Sequence, residues 1–333
     1  MNEDEIIRTY FAPLTAQAPG AFDLTDDAAS LACPPGCELV VTADSLIAGV
    51  HFLPDDRPED IAIKALAVNL SDLAAKGADP LVYTLSMALP EGVSADWLTG
   101  FADGLAGLQR DHGIALLGGD TTRSPGPLMI AITAMGTVPI GSMVRRRGAK
   151  PGDLLCVTGT IGDAALGLRL RLGDTAADEW PIGGEARAFL IRRYLRPCPR
   201  TMLAASLREH ASAALDISDG LILDATRLCR ASGVTALIEA DKVPVSQAAS
   251  ALAADETWRD VMLTGGDDYE LLIAVPPGSR DALISAVTAA GLTVIGRIEG
   301  QASPAEPVAE PVTVADAQGR PLHFDQNGYT HFD

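Results

Sequence analysis

The chain has 333 residues, 47% hydrophobic and 21% charged, enough for two cored domains and too apolar for general disorder. Its 44 acidic residues against 25 basic ones give a net charge of −19. That excludes a general nucleic-acid or anionic-membrane surface, but not a phosphorylated ligand, because bound metal inverts the local sign.

In chain order, the acidic, amphipathic start MNEDEIIRTYF is not a signal peptide. Residues 38–42 and 81–89 are β-rich, 60–76 and 94–112 read as helices, and 114–117 and 128–138 as strands. The basic, turn-rich run from Arg145 to Asp153 is the expected boundary, dividing the chain into 1–148 and 149–333. The second half predicts strands at 154–158, 234–239 and 270–275. It predicts helices at 164–172, 221–231 and 280–290, a helical region at 185–210, and a loop at 301–311. No run of about 18 apolar residues lacks charges or breakers, so no membrane span is expected. Five scattered cysteines fit reduced thiols and a cytoplasmic location, with Cys33 and Cys37 flanking a surface turn.

Aspartates recur where apolar runs end: Asp26-Asp27, Asp44 in VVTADS, Asp72 in AVNLSDLAAKGA, Asp120 in ALLGGDTT, Asp216 and Asp219 in ALDISDGL, and Asp267-Asp268 in LTGGDDYEL. Each alone has an ordinary reading as a turn, a cap or a solvated face. Asn69, Asp72 and Lys76 share one helical face, which fits a core helix presenting a metal ligand or an exposed polar face equally. Asp44 is expected at a strand end, and Gly118-Gly119-Asp120 after a strand. Ser218 or Asp219 reads first as a helix N-cap, and the functional alternative makes Asp216 and Asp219 metal ligands. Together the series suggests convergent carboxylates, and hard oxygen ligands without Cys or His favour Mg²⁺ over Zn²⁺. A P-loop and the protein-kinase motif set are absent. Gly159 to Gly162 ahead of a helix is a low-weight phosphate-loop candidate, and Arg145–Arg147 reads as a phosphate clamp or a surface charge run. Among the five histidines, His51 stands out by following Asp44 by seven residues.

The ordered series TDDAA, TADSLIAGVHF, ALAVNLSDLAAKGADP, LLGGDTT, GAKPGD, VTGTIGD, DISDGL, GGDDYEL and NGYTHFD resembles the thiamine-monophosphate kinases. These belong to an ATP-dependent superfamily with aminoimidazole ribonucleotide synthetase and selenophosphate synthetase. The resemblance covers nearly the whole chain from about residue 26. It implies a two-domain, aminoimidazole-ribonucleotide-synthetase-like architecture: an N-terminal α+β domain that dimerises through its sheet, and a C-terminal α/β domain. It implies ATP-dependent conversion of thiamine monophosphate to thiamine diphosphate in a homodimer. By motif matching, Asp27, Thr42, Asp44, Asp72, Asp120, Asp216 and Asp219 form the magnesium set. Gly119, Asp120, Arg146 and Ser218 fall at nucleotide positions, and His51, Asp267 and Tyr329 at substrate positions. The chain departs from the pattern at Thr25, Ala43, Asp267 and Thr330, where the family usually has Gly, Thr, Glu and Asp.

The acceptor is a phosphate with a second pKa near ~6, so it is largely ionised at neutral pH and needs no general base. Direct in-line transfer, driven by position and charge stabilisation, is therefore expected, with several Mg²⁺ ions offsetting the phosphates. Two rivals remain. Another enzyme of the superfamily would act on a different small phosphorylated substrate; a selenophosphate synthetase would carry a reactive Cys and Lys near the N-terminus. A non-catalytic metal-binding scaffold would cluster its aspartates locally.

Overall fold

The computed structural model describes residues 2–286, 291–301 and 310–330. The expected helix end at 287–290, most of the expected loop at 301–311, and the last three residues of NGYTHFD lie outside the described residues. The chain forms two compact units: residues 1–74 with 78–143, and residues 75–77 with 144–333.

The first unit opens with the short helix α1 (Glu3–Ile6), closed by a capping box between Asn2 and Glu5. Strand β1 (Cys37–Ile47), helix α2 (Pro58–Ala75), strand β2 (Asp79–Leu89), helix α3 (Ala95–His112) and strands β3 (Ala115–Arg123) and β4 (Met129–Pro139) follow. The sheet order is β1-β4-β2-β3, with only β2 and β3 parallel. Helix α2 starts with Pro58, Glu59 and Asp60, residues that suit a helix N-terminus by fixed φ and by charge. Ile61, Ala62, Ala65, Leu66, Leu70 and Leu73 are all buried, so packing holds this helix more than propensity does. Ser94 caps α3 by accepting from the Trp97 N–H, and Gly113 ends it in the left-handed conformation.

Two strands run further than the sequence pattern suggests. β1 continues through Asp44 to Ile47, and β3 continues through Gly118, Gly119 and Asp120 to Arg123. Asp44 therefore sits inside a strand, opposite Ile132, rather than at its end. Asp120 likewise lies within β3, opposite Ser86. Pairing with long neighbours supplies the ladder bonds that Gly, Asp and Ser would not sustain alone. A bulge at Tyr83/Thr84 adds Leu117 to β3 just before the glycines.

The second unit contains β5 (Leu154–Thr158), α4 (Asp163–Arg171), α5 (Thr175–Asp178), α6 (Gly184–Leu195), α7 (Ala204–His210), β6 (Ala213–Ile217) and α8 (Leu221–Ser232). β7 (Val234–Glu239), α9 (Glu256–Thr264), β8 (Glu270–Val275), α10 (Arg280–Ala286), β9 (Leu292–Gln301) and β10 (Val312–Ala315) complete it. Among the described residues its sheet has the order β10-β7-β9-β5-β8-β6, with β10 and β7 parallel. Leu221, Ile222, Ala225, Leu228 and Cys229 bring one stripe of α8 into the core with Leu215, Ile217, Ile238, Leu272 and Ile295. A second core joins α4, α6 and α9 through Leu166, Leu190 and Met262, with Trp180 edge-on to Trp258. The 185–210 region is two helices, because the sequence RPCPR between them cannot continue the first. Strands β6, β9 and β10 and the nine-residue helix α9 escape the sequence reading.

All five cysteines are free, and Cys33 lies exposed on a turn where its thiol contacts the Cys37 carbonyl. Among the described residues no helix is long and apolar enough to cross a membrane.

Candidate active site

The first unit gathers its candidate residues in two groups. In β1, Val40, Thr42, Asp44 and Leu46 alternate onto one face, with Val40 and Leu46 buried and the two polar residues half-buried between them. Thr42 Oγ1 donates to Asp72 Oδ2 of α2 at 2.5 Å. Asp72 is half-buried, whereas Asn69 is buried and turns back to donate to the Ala65 carbonyl at 3.1 Å. The helix thus presents Asp72 and uses Asn69 internally. His51 lies just beyond β1, and its Nδ1 accepts from the Ile47 N–H at 3.1 Å. In a neutral ring that bond places the proton on Nε2.

The second group borders a cavity of about 350 Å³ lined by Asp26, Asp27, Gly119 and Asp120. Phe11, Leu24, Leu85 and Leu117 supply apolar lining, and Thr84 and Thr121 supply hydroxyls. Asp26 Oδ1 accepts from the Asp27 N–H at 2.8 Å, after three consecutive left-handed residues, Phe22, Asp23 and Leu24. A side chain at Gly119 would put its Cβ 1.8 Å from the Leu85 carbonyl oxygen, so only glycine lets β3 approach β2 here. The register aligns Asp44 with Ile132, Leu85 and Gly119, but Asp120 with Ser86, Ala131 and Ser45. Asp44 and Asp120 therefore lie on opposite edge strands and in rows of opposite face.

In the second unit, three segments meet by backbone hydrogen bonds. The Ser218 carbonyl accepts from the Asp267 N–H, and the Asp219 carbonyl from the Tyr329 N–H, both at 2.9 Å. DISDGL, GGDDYEL and the described part of NGYTHFD are thus neighbours. Asp216 is buried in β6 opposite Leu271. Arg146 is exposed, and its carbonyl accepts from Ser232 Oγ at 3.4 Å.

Neither Ser218 nor Asp219 caps α8. The N-cap is Gly220, and the carboxylate of Asp224, one turn inside the helix, reaches back instead. Its Oδ2 accepts from the N–H groups of both Ser218 and Asp219 at 3.0 Å, and its Oδ1 meets Arg227 Nη1 at 2.7 Å. The same Arg227 nitrogen donates to Asp219. Burial pushes Asp224 up to about 6, outweighing the Asp219 N–H and the Arg227 charge. The three-residue spacing of Asp224 and Arg227 in the first turns of α8 was the available signal for part of this support, since residues three apart on a helix share a face.

The N-terminus of α4, weighed from sequence as a phosphate site, takes an internal carboxylate. Asp268 Oδ2 accepts from the Gly162 N–H at 2.6 Å, and Oδ1 from the Ala164 N–H at 3.2 Å. Next to it, buried Glu270 accepts from Thr158 Oγ1 at 2.7 Å, Arg193 Nη2 at 2.9 Å and Arg200 Nε at 2.7 Å. Asp163, raised chiefly by burial, accepts from Ser246 and Thr160, both at 2.5 Å.

Among the described residues no group of three or more His, Cys, Asp or Glu side chains is placed to hold a metal ion. The donors present are carboxylates and a hydroxyl, such as Asp72 with Thr42, in open groups. Such groups fit Mg²⁺, which keeps water and phosphate oxygens in its shell, better than a metal needing an all-protein cage.

Residues 25–138 match the family described as AIR synthase related protein, N-terminal domain, and residues 150–307 match its C-terminal domain. A thiamine-monophosphate kinase of Salmonella typhimurium is 43% identical over 310 residues, covering 92% of this chain and 90% of the relative. The crystal structure of thiamine-monophosphate kinase from Stenotrophomonas maltophilia superposes with a TM-score of 0.78 at 43% identity, over 90% of this chain and 91% of that one. AaThiL complexed with AMPPCP and TMP superposes with a TM-score of 0.75 at 31% identity, over 92% of this chain and 91% of that one. The chain belongs to the AIR synthase related family and, within it, to the thiamine-monophosphate kinases.

Proposed function

We propose that the chain phosphorylates thiamine monophosphate with ATP, giving ADP and thiamine diphosphate. The observation that carries this reading is the backbone meeting of DISDGL, GGDDYEL and the Tyr329 segment in the second unit. It makes neighbours of motif positions assigned to nucleotide, metal and substrate. The complex of AaThiL with AMPPCP and TMP supports it, since that relative holds an ATP analogue together with TMP.

In this reading Gly119, Asp120, Arg146 and Ser218 bind the nucleotide, and His51, Asp267 and Tyr329 hold the thiamine phosphate. The close-packed backbone at Gly119 and the part-apolar cavity beside it suit a nucleotide's flat base and phosphates. His51 Nε2–H suits a phosphate oxygen. Thr42, Asp44 and Asp72 as one group, Asp27 and Asp120 as a second, and Asp216 and Asp219 as a third would hold separate Mg²⁺ ions, which when bound would offset phosphate charge and help align donor with acceptor. The protein's part is to orient two ligands that together carry about six negative charges, with no proton to remove from an ionised phosphate. In-line transfer without a phosphoenzyme follows.

The open face of the first unit's sheet carries Leu39, Val41 and Met129, at 39%, 58% and 38% exposure. That apolar row supports a homodimer formed through this face. A cytoplasmic location fits the free thiols.

The test is a panel of phosphorylated substrates with ATP and Mg²⁺, read by phosphorus NMR. A new diphosphate from thiamine monophosphate is expected. Turnover confined to another phosphorylated substrate would overturn the assignment.

A further inference from the structure

The GGDDYEL loop has an unusual backbone. Asp267 and Tyr269 both take left-handed φ values, 72° and 50°, although neither is glycine. Such a conformation costs free energy and persists only where the surroundings dictate it. The preceding glycines show how tightly the loop is clamped. A Cβ at Gly265 would stand 2.3 Å from the Ala165 Cβ of α4, and one at Gly266 2.3 Å from the Ser218 carbonyl oxygen.

Main-chain bonds fix one side of the loop. The Asp267 N–H donates to the Ser218 carbonyl at 2.9 Å, and the Tyr269 N–H to the Ile217 carbonyl at 2.8 Å. Asp268, between the two left-handed residues, fixes the other side with its side chain. It is 1% exposed, and its two oxygens take separate N–H donors at the start of the nine-residue helix α4. Those donors have no partner within the helix and would be left buried and unsatisfied without it. Downstream, Glu270 is tied to Thr158, Arg193 and Arg200, and the Leu271 N–H donates to Thr158 Oγ1 at 2.8 Å. Arg193 adds a contact at 3.5 Å from Nη2 to the Asp268 carbonyl. VTGTIGD thus acts as the anchor of GGDDYEL.

We propose that Asp268 is a positioning residue for the thiamine-phosphate end of the site: seated on the α4 N-terminus, it locks the left-handed backbone at Asp267 and so sets the direction of the Asp267 carboxylate. The inference rests on the assignment of Asp267 as a substrate contact. Without the Asp268 acceptor, residues 267 and 269 relax toward the right-handed region and the Asp267 side chain swings away from its line. Of the nucleotide positions, Gly119, Asp120 and Arg146 belong to other segments, and Ser218, which meets the loop through its carbonyl, keeps its own tie from its N–H to Asp224 Oδ2 at 3.0 Å.

The experiment compares steady-state kinetics and melting temperature of the full chain with Asp268→Ala, Asp268→Asn, Asp267→Asn and Leu166→Ala. Leu166→Ala weakens the buried side of α4 without removing the loop's acceptor. Asp268→Ala is expected to raise KM for thiamine monophosphate about tenfold or more while KM for ATP stays within about twofold. Asp268→Asn, which keeps one accepting oxygen, falls between Asp268→Ala and the parent, and it carries the test if Asp268→Ala does not fold. Leu166→Ala lowers the melting temperature without this split. An equal rise in both KM values, no rise, or the same split in Leu166→Ala overturns the inference. If Asp267→Asn impairs thiamine monophosphate binding and the Asp268 variants do not, the inference alone fails. If Asp267→Asn has no effect, the assignment of Asp267 fails first.

Discussion

Thr42 Oγ1 of β1 donates to Asp72 Oδ2 of α2 at 2.5 Å, joining two residues thirty positions apart in one half-buried polar contact. Removing the hydroxyl while keeping the shape, with Thr42→Val, should lower turnover at least about tenfold and raise the Mg²⁺ concentration needed for half-maximal rate. Thr42→Ser should restore most of it. A Mg²⁺ titration of ADP release gives the answer, and a Thr42→Val enzyme with an unchanged Mg²⁺ requirement would remove Thr42 from the metal set.

Asp44→Asn and Asp120→Asn are each expected to cut turnover by two or more orders of magnitude while circular dichroism and melting stay near the parent, as charge loss at a phosphoryl-transfer site does. Both side chains lie outside the buried core, so the fold tolerates the change. Near-normal turnover in either variant would count against its role.

Gly119→Ala and Gly118→Ala form a matched pair for stability. The first drives a Cβ to 1.8 Å from the Leu85 oxygen, and the second meets nothing within 4 Å. Gly119→Ala should cost about 3 kcal/mol or more, because backbone has to move, and Gly118→Ala under about 1 kcal/mol. Urea unfolding compares them directly.

Asp268 gives a pH dependence with a definite sign. Burial pushes its carboxyl up to about 8, outweighing the Gly162 N–H, Arg193 and the Ala164 N–H. Unfolded, the group titrates near ~4. Between those values the folded chain holds a proton that the unfolded chain has released, so this group's stabilisation is complete below about 4 and lost as pH rises through about 8. Asp224, raised to about 6, and Asp163, also raised, act in the same direction. The urea midpoint should therefore fall from pH 5 to pH 8, and Asp268→Asn should flatten part of that slope. Parallel slopes in parent and variant would contradict the assignment.

Asp224→Ala should destabilise the chain by about 2–4 kcal/mol, because it strands the Ser218 and Asp219 N–H groups and one bond of Arg227. Asp224→Asn, which keeps one acceptor, should cost less. Equal stability of Asp224→Ala and the parent in urea would show that the loop does not depend on this carboxylate.

What the sequence determined by itself was local or repeated. Buried strands such as Leu154–Thr158 and Glu270–Val275, and helices with clear apolar stripes such as α3 and α8, follow from side-chain periodicity. The motif series was enough to place the chain in its family, because each segment keeps its residues and its order. Tertiary structure decided the rest. Asp44 and Asp120 became mid-strand residues because neighbouring strands extend the ladder past the point where local propensity fades. Asp224 and Asp268 look in the sequence like any acidic residue near a helix start or in a turn. Their roles arise only when folding buries them beside backbone N–H groups that have no other acceptor, at Ser218 and Asp219 for one and at Gly162 and Ala164 for the other. A buried donor must be satisfied, and which carboxylate satisfies it depends on contacts between segments up to 106 residues apart, which no local pattern encodes.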